Sequence, residues 1–118
     1  MTRTASPSIA EQDGPRGYFG ALTMEVDVTE GAGLAVTVCA SLAEWRAGIE
    51  FGIAHAFEKT AARKCVEVRV TEGRGFAVDT SQALMAWLAA RGFYECLGVD
   101  PEAFVHLDRV TGQVSFRK

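Results

Sequence analysis

The stretch Gly73-Arg74-Gly75-Phe76 has the composition of a nucleic-acid contact. Glycines let the backbone approach a phosphate, an arginine pairs with it, and an aromatic ring stacks on a base. The plainer reading is a turn whose Phe76 tucks back over the helix that follows. Lys59, Arg63, Lys64, Arg69 and Arg74 give the middle of the chain a positive bias, interrupted by Glu58, Glu67 and Glu72. Gathered on one surface, these bases would neutralise several phosphates, and binding would weaken steeply with salt. Dispersed, they are an ordinary solvated face with i,i+4 pairs. The RNA-contact candidates are therefore Arg74, Phe76, Lys59, Arg63 and Lys64.

Other residue types that do chemistry are present without a supporting pattern. His55 and His106 stand far apart, with no partner at metal-ligand spacing. Cys39, Cys65 and Cys96 are odd in number and form no C-x-x-C, which argues against a disulfide framework or a zinc site. They read as three reduced thiols packed in a core. A Cys–His dyad would have to come from the fold, because no local signature supports one. Asp79 stands three residues before Gln82 and reads as a helix cap rather than a catalytic acid. Trp45 and Trp87 read as core residues.

The chain has 118 residues, enough for one domain that buries roughly two-thirds of its unfolded surface. With 48% hydrophobic residues it is too apolar to be disordered. Its formal net charge of -3 argues against a surface built wholly for phosphate backbones, while leaving room for a local basic patch. No stretch approaches the ~18 consecutive apolar residues of a membrane span, and the N-terminus lacks the apolar run of a signal peptide. Residues 1–16 are expected to be a flexible N-terminal tail, and 17–118 a single domain in the cytoplasm.

Positioning these residues falls to a short series of elements. Leu22, Met24, Val26 and Val28 alternate with Thr23, Glu25, Asp27 and Thr29, and Leu34, Val36 and Val38 alternate again beyond Glu30-Gly31-Ala32-Gly33. Residues 18–40 therefore read as a β-hairpin with one wet face. Trp45, Ile49, Ile53 and Phe57 recur every four positions, predicting an amphipathic helix over 42–60 with Ser41 and Glu44 as its capping box. Gly48 and Gly52 lie one turn apart on that helix, and close approach to a sheet or second helix is the expected gain. The dimerisation reading of this G-x-x-x-G spacing belongs to membrane helices and is not the expected one here. Val66, Val68 and Val70 define a further strand, Asp79 caps a second helix that is apolar all round, and Gly92 dents it before Gly98 ends it. A terminal hairpin is expected over 103–118, around Thr111-Gly112. This order predicts an α+β two-layer sandwich: a four- to five-stranded, largely antiparallel sheet with two helices on one face.

In series, G-Y-F-G (Gly17–Gly20), E-W-R-A-G-I-E-F-G-I (Glu44–Ile53) and V-D-T-S (Val78–Ser81) before an apolar helix resemble domain IV of translation elongation factor G. The resemblance runs from about Gly17 to Gly98. It implies that family's sandwich with a left-handed β-α-β crossover, shared with the second domain of a small-subunit ribosomal protein. It also implies a stand-alone module that contacts RNA or a ribosome-related partner. The departures lie at the working tip. The loop before the first helix is cut to Ala40-Ser41-Leu42-Ala43, and Phe76 stands where the family offers a polar or basic residue. No G-x-x-x-x-G-K-[ST] is present, so GTP hydrolysis of that design is excluded, and translocation is not expected.

The expectation is a non-enzymatic binding module with no cofactor, no metal and no membrane association. The alternative is a protein–protein adaptor or homo-oligomer that uses the sheet edge or the C-terminal hairpin. A small thiol enzyme is a third possibility, marked by an abnormally reactive cysteine.

Overall fold

A long strand at residues 16–29 organises the molecule, because three others pair with it. The computed structural model describes residues 2–14, 16–76 and 79–116. Its elements are β1 (Thr2–Ala5), β2 (Ser8–Asp13), β3 (Arg16–Thr29), β4 (Gly33–Val38), a 3₁₀ segment (Ala40–Trp45), α1 (Arg46–Thr60), β5 (Cys65–Arg74), α2 (Gln82–Cys96), a 3₁₀ turn (Pro101–Ala103), β6 (Val105–Leu107) and β7 (Val114–Phe116). The main sheet has five strands in the order β1-β3-β5-β4, with β2 continuing the β1 edge along β3. Both helices pack on one face of this sheet, as the α+β two-layer sandwich requires.

The alternation of β3 and β4 identifies their faces correctly, with Leu22, Met24 and Val26 buried and Leu34, Val36 and Val38 turned to the same side. It does not identify their partners. β3 and β4 are not a hairpin: β5 lies between them, antiparallel to β3 and parallel to β4. A period-2 pattern fixes which side a residue faces, and says nothing about the neighbouring strand. The parallel β4–β5 pair is closed by α1, the crossover such a pair needs.

Residues assigned to a flexible tail are the sheet's first edge. β1 and β2 pair antiparallel with β3, from Thr2↔Asp27 to Asp13↔Arg16, and bury Ala5 and Ile9. With few apolar residues, these strands carry little signal of their own. Their hydrogen bonds come from the long β3 that receives them.

The helices meet through glycine. A methyl on Gly48 would stand 2.2 Å from the Gln82 carbonyl oxygen, and one on Gly52 would stand 2.1 Å from that of Ala86. This is the close approach expected from the spacing, with α2 as the neighbour. Gly92 does not dent α2; it lets the helix lie against Met24 and Pro7. Gly98, at φ +74°, ends it. Two caps differ from expectation. Ser41 makes no cap, since 3₁₀ backbone intervenes and its hydroxyl faces Cys39 Sγ at 3.3 Å. Ser81, not Asp79, caps α2, its Oγ accepting the Leu84 N–H at 3.0 Å.

The terminal hairpin forms, with Val105↔Phe116 and Leu107↔Val114 paired, as a two-stranded sheet of its own. It lies against α2, and Tyr94 stacks on Phe104 with centroids 4.8 Å apart. That cover is why α2 is buried on nearly every side. Trp45 and Trp87 are buried as expected.

Candidate nucleic-acid interface

Continuing the buried row Val66, Val68, Val70 by twos would turn Arg74 into the core. A β-bulge prevents this. Thr23 pairs with Glu72 and Met24 with Val70, so Thr71 is the extra residue. Beyond it the phase reverses: Gly73 faces Leu22 and Leu42, and Arg74 is exposed on the open side of the sheet opposite Ala21. Bulges that re-aim a side chain are common beside functional sites.

The two glycines of this stretch have a packing role. A methyl on Gly73 would meet the Ala21 carbonyl at 2.6 Å, and one on Gly75 would meet the Trp45 ring at 2.7 Å. A side chain at either position would collide with protein, so packing alone requires both glycines. Arg74 and Phe76 are the side chains of this stretch that a ligand can reach. Phe76 does not tuck over α2; it is 60% exposed and stacks on Phe19, centroids 4.6 Å apart and 24° from parallel.

Thr80 holds that stack in place. Its hydroxyl accepts the Phe76 N–H at 2.7 Å and donates to the Phe19 carbonyl at 2.6 Å. One buried side chain thus ties together the backbones that carry the two rings. Sequence reasoning missed both Phe19 and Thr80. The available signal for Phe19 was its place on the wet face of an alternating strand, where an aromatic ring has no core to fill. Where β3 and β5 run past the bulge, a hollow of about 240 Å³ is lined by Ala21, Leu22, Thr23, Glu72, Gly73 and Arg74.

The other basic candidates are elsewhere. Lys59 lies in the last turn of α1, and Arg63 and Lys64 lie in the turn that enters β5. Nine residues of β5 separate that turn from Arg74, about 30 Å at ordinary strand rise. The five candidates therefore form two groups at opposite ends of the sheet. Between them the open face is acidic. Arg69 donates to Glu25 at 3.1 Å, Asp27 at 2.7 Å and Glu67. These carboxylates raise its pKa, through hydrogen bonds to Asp27 first and Glu25 second. Arg69 is consequently neutralised in place.

No catalytic pairing emerges among the described residues. Cys65 is exposed rather than packed in the core, because it stands on the outward row of β5 at the strand's first position. Cys39 is half-buried and Cys96 buried, its thiol pushed up to about 11 by burial first and Glu95 second. Among these residues no histidine hydrogen-bonds a cysteine. His55 lies against Phe116, ring centroids 4.9 Å apart, and burial, then Lys59, holds its pKa below the usual histidine value. His106 is exposed on β6. Among the described residues no three His, Cys, Asp or Glu side chains gather as a metal site, and no helix is long and apolar enough to cross a membrane. Val78, part of the V-D-T-S signature, lies outside the described residues.

No family model matches the sequence, and no curated protein matches it. By structure it matches 58 solved chains, so the fold recurs. One is a protein of Thermus thermophilus known from its crystal structure, with a TM-score of 0.66 over 84% of this chain. The identity is 17%, which shows the fold alone, and the match covers 16% of that protein. The chain is thus similar in fold to a small part of a much longer molecule.

Proposed function

We propose that this chain is a binding module without chemistry of its own, built like domain IV of elongation factor G, that contacts single-stranded RNA or a ribosome-related partner through Arg74 and Phe76. The observation that carries the reading is the exposed Phe76 ring. It is held flat on Phe19 by the Thr80 hydroxyl, with a bulge-directed arginine two residues away. A fixed aromatic face beside a guanidinium suits an unstacked base and its phosphate. The acidic centre of the sheet would repel a longer anionic track, so contact is confined to one or two nucleotides at the tip. Lys59, Arg63 and Lys64 at the far end are not part of this contact.

The test is fluorescence anisotropy of a labelled single-stranded RNA titrated with the whole chain at several salt concentrations. Phe76→Ala is expected to weaken binding roughly tenfold, as loss of one base stack does. Arg74→Ala is expected to weaken it and flatten the salt slope by about one unit. Affinity unchanged in both variants would overturn the reading.

A further inference from the structure

The two edges of the main sheet are built differently. Along the β1–β2 edge the strands carry Arg3 and Glu11 and are joined through Pro7, whose carbonyl accepts the Leu22 N–H at 3.0 Å. Prolines and charges are usual means of protecting an edge. β4, at the opposite edge, reads Gly-Leu-Ala-Val-Thr-Val with no charge and no proline, and among the described residues no strand pairs with its outer side. The Gly33 N–H donates to Lys64 O at 3.2 Å and the Cys39 N–H to Val70 O at 3.0 Å, so odd-numbered residues point their backbone groups at β5. Leu34, Val36 and Val38 therefore point theirs away from the sheet.

We propose that this edge is a self-association surface, on which β4 of a second copy pairs antiparallel about a two-fold axis through Val36. The argument for a second copy is self-complementarity. Centred on Val36, the pairing sets Leu34 opposite Val38 and Val36 opposite itself. The inner row Val68–Val36 then continues unbroken into the same row of the other chain. Leu34, Val36 and Val38 are only half-buried now, and the pairing covers them. On the outer side Ala35 meets Thr37, and the flanking β5 residues in each row are Glu67 of one copy and Arg69 of the other. No like charges face each other across the join. About six inter-chain hydrogen bonds form from the outward groups. Six residues of strand are a small interface, so the association is weak, with a dissociation constant on the order of 10 μM.

Sedimentation equilibrium of the whole chain up to roughly 200 μM, well above that constant, tests this. The native chain is expected to approach twice its 12.7 kDa mass. Val36→Pro removes a central outward N–H without taking a bond from β5, and is expected to weaken dimerisation at least tenfold. Should that variant fail to fold, the double change Ala35→Lys with Thr37→Lys opposes like charges across the join on the solvent side, with the same expected result. A native chain monomeric throughout, or a dimer unaffected by the double change, would overturn the proposal. So would a monomer whose edge takes up an added extended peptide instead. RNA affinity of Phe76→Ala is independent of all these outcomes, so the two readings fail separately.

Discussion

Gln82 Oε1 accepts the Gly48 N–H at 2.8 Å, while Gln82 Nε2 donates to the Glu44 carbonyl at 2.6 Å. Trp45, at the N-cap of α1, makes no side-chain cap, so one orphan N–H of the first turn is satisfied from the opposing helix. The first residue of α2 thereby fixes where α1 begins. Gln82→Ala removes both bonds and is expected to lower stability by about 1–2 kcal/mol in urea unfolding. Gln82→Glu keeps the acceptor and loses the donor, and should fall between the two. A Gln82→Ala chain as stable as the native one would show that water caps α1 equally well.

Gly52 meets backbone rather than a flexible side chain, which removes the cheap ways of relieving a clash. With its missing methyl placed 2.1 Å from the Ala86 carbonyl, Gly52→Ala must push the helices apart. Helix propensity would favour alanine by about 1 kcal/mol. Overpacking outweighs it, and a net loss of roughly 2–3 kcal/mol is expected by thermal or urea melting. A gain in stability would mean that the helices do not touch at this point.

The sequence made residue faces legible, and left partners and phase breaks hidden. Leu22, Met24 and Val26 announce a buried face by alternation, and Gly48 and Gly52 announce a close contact by their cost in a helix. Nothing local in Leu34–Val38 says that β5 rather than β3 lies beside it, because that choice belongs to the crossover through α1. The bulge at Thr71 is equally silent, yet it decides that Arg74 reaches solvent. Thr80 looks like any threonine before a helix. One of its two hydrogen bonds is local, to Phe76 four positions away, but the other, to Phe19 61 positions away, exists only once β3 lies alongside.

Acid should unfold the chain along a path set by a few carboxylates. The Asp27 carboxyl is held below its usual value by the Thr2 hydroxyl first and Arg69 next. Glu11 is lowered by Arg109, and Asp108 by the backbone N–H groups of Thr111 and Val110. A folded pKa below the unfolded one contributes stability in full above the unfolded value, about 4, and loses it as pH falls through the folded value. His55, also lowered, adds an earlier loss that starts below about pH 6.5, as the unfolded chain takes up its proton first. Urea midpoints should therefore decline slightly below neutrality and steeply below about pH 4. Arg69→Met removes one of the groups that hold Asp27 ionised, and should flatten the acid limb. An unchanged slope in that variant would show that the cluster contributes nothing to stability.

The N-terminal strands make the sharpest contrast between a tail and a sheet edge. Ile9 is buried on β2, and the next residue on its face, Glu11, receives Arg109 through contacts of 2.8 and 3.2 Å. The Tyr18 hydroxyl donates to the Arg109 carbonyl at 2.5 Å from the adjoining strand. β2 and β3 together therefore hold the β6–β7 loop down over Trp87, whose ring lies 6.0 Å from the Arg109 guanidinium. Ile9→Ala empties a core position, and is expected to cost about 3 kcal/mol and lower the melting temperature by roughly 10 °C. Deleting residues 1–13 should expose Met24 and Val26, release the hairpin and abolish cooperative melting. If Ile9→Ala melted with the native chain, these residues would be a tail after all, and the sheet would begin at β3.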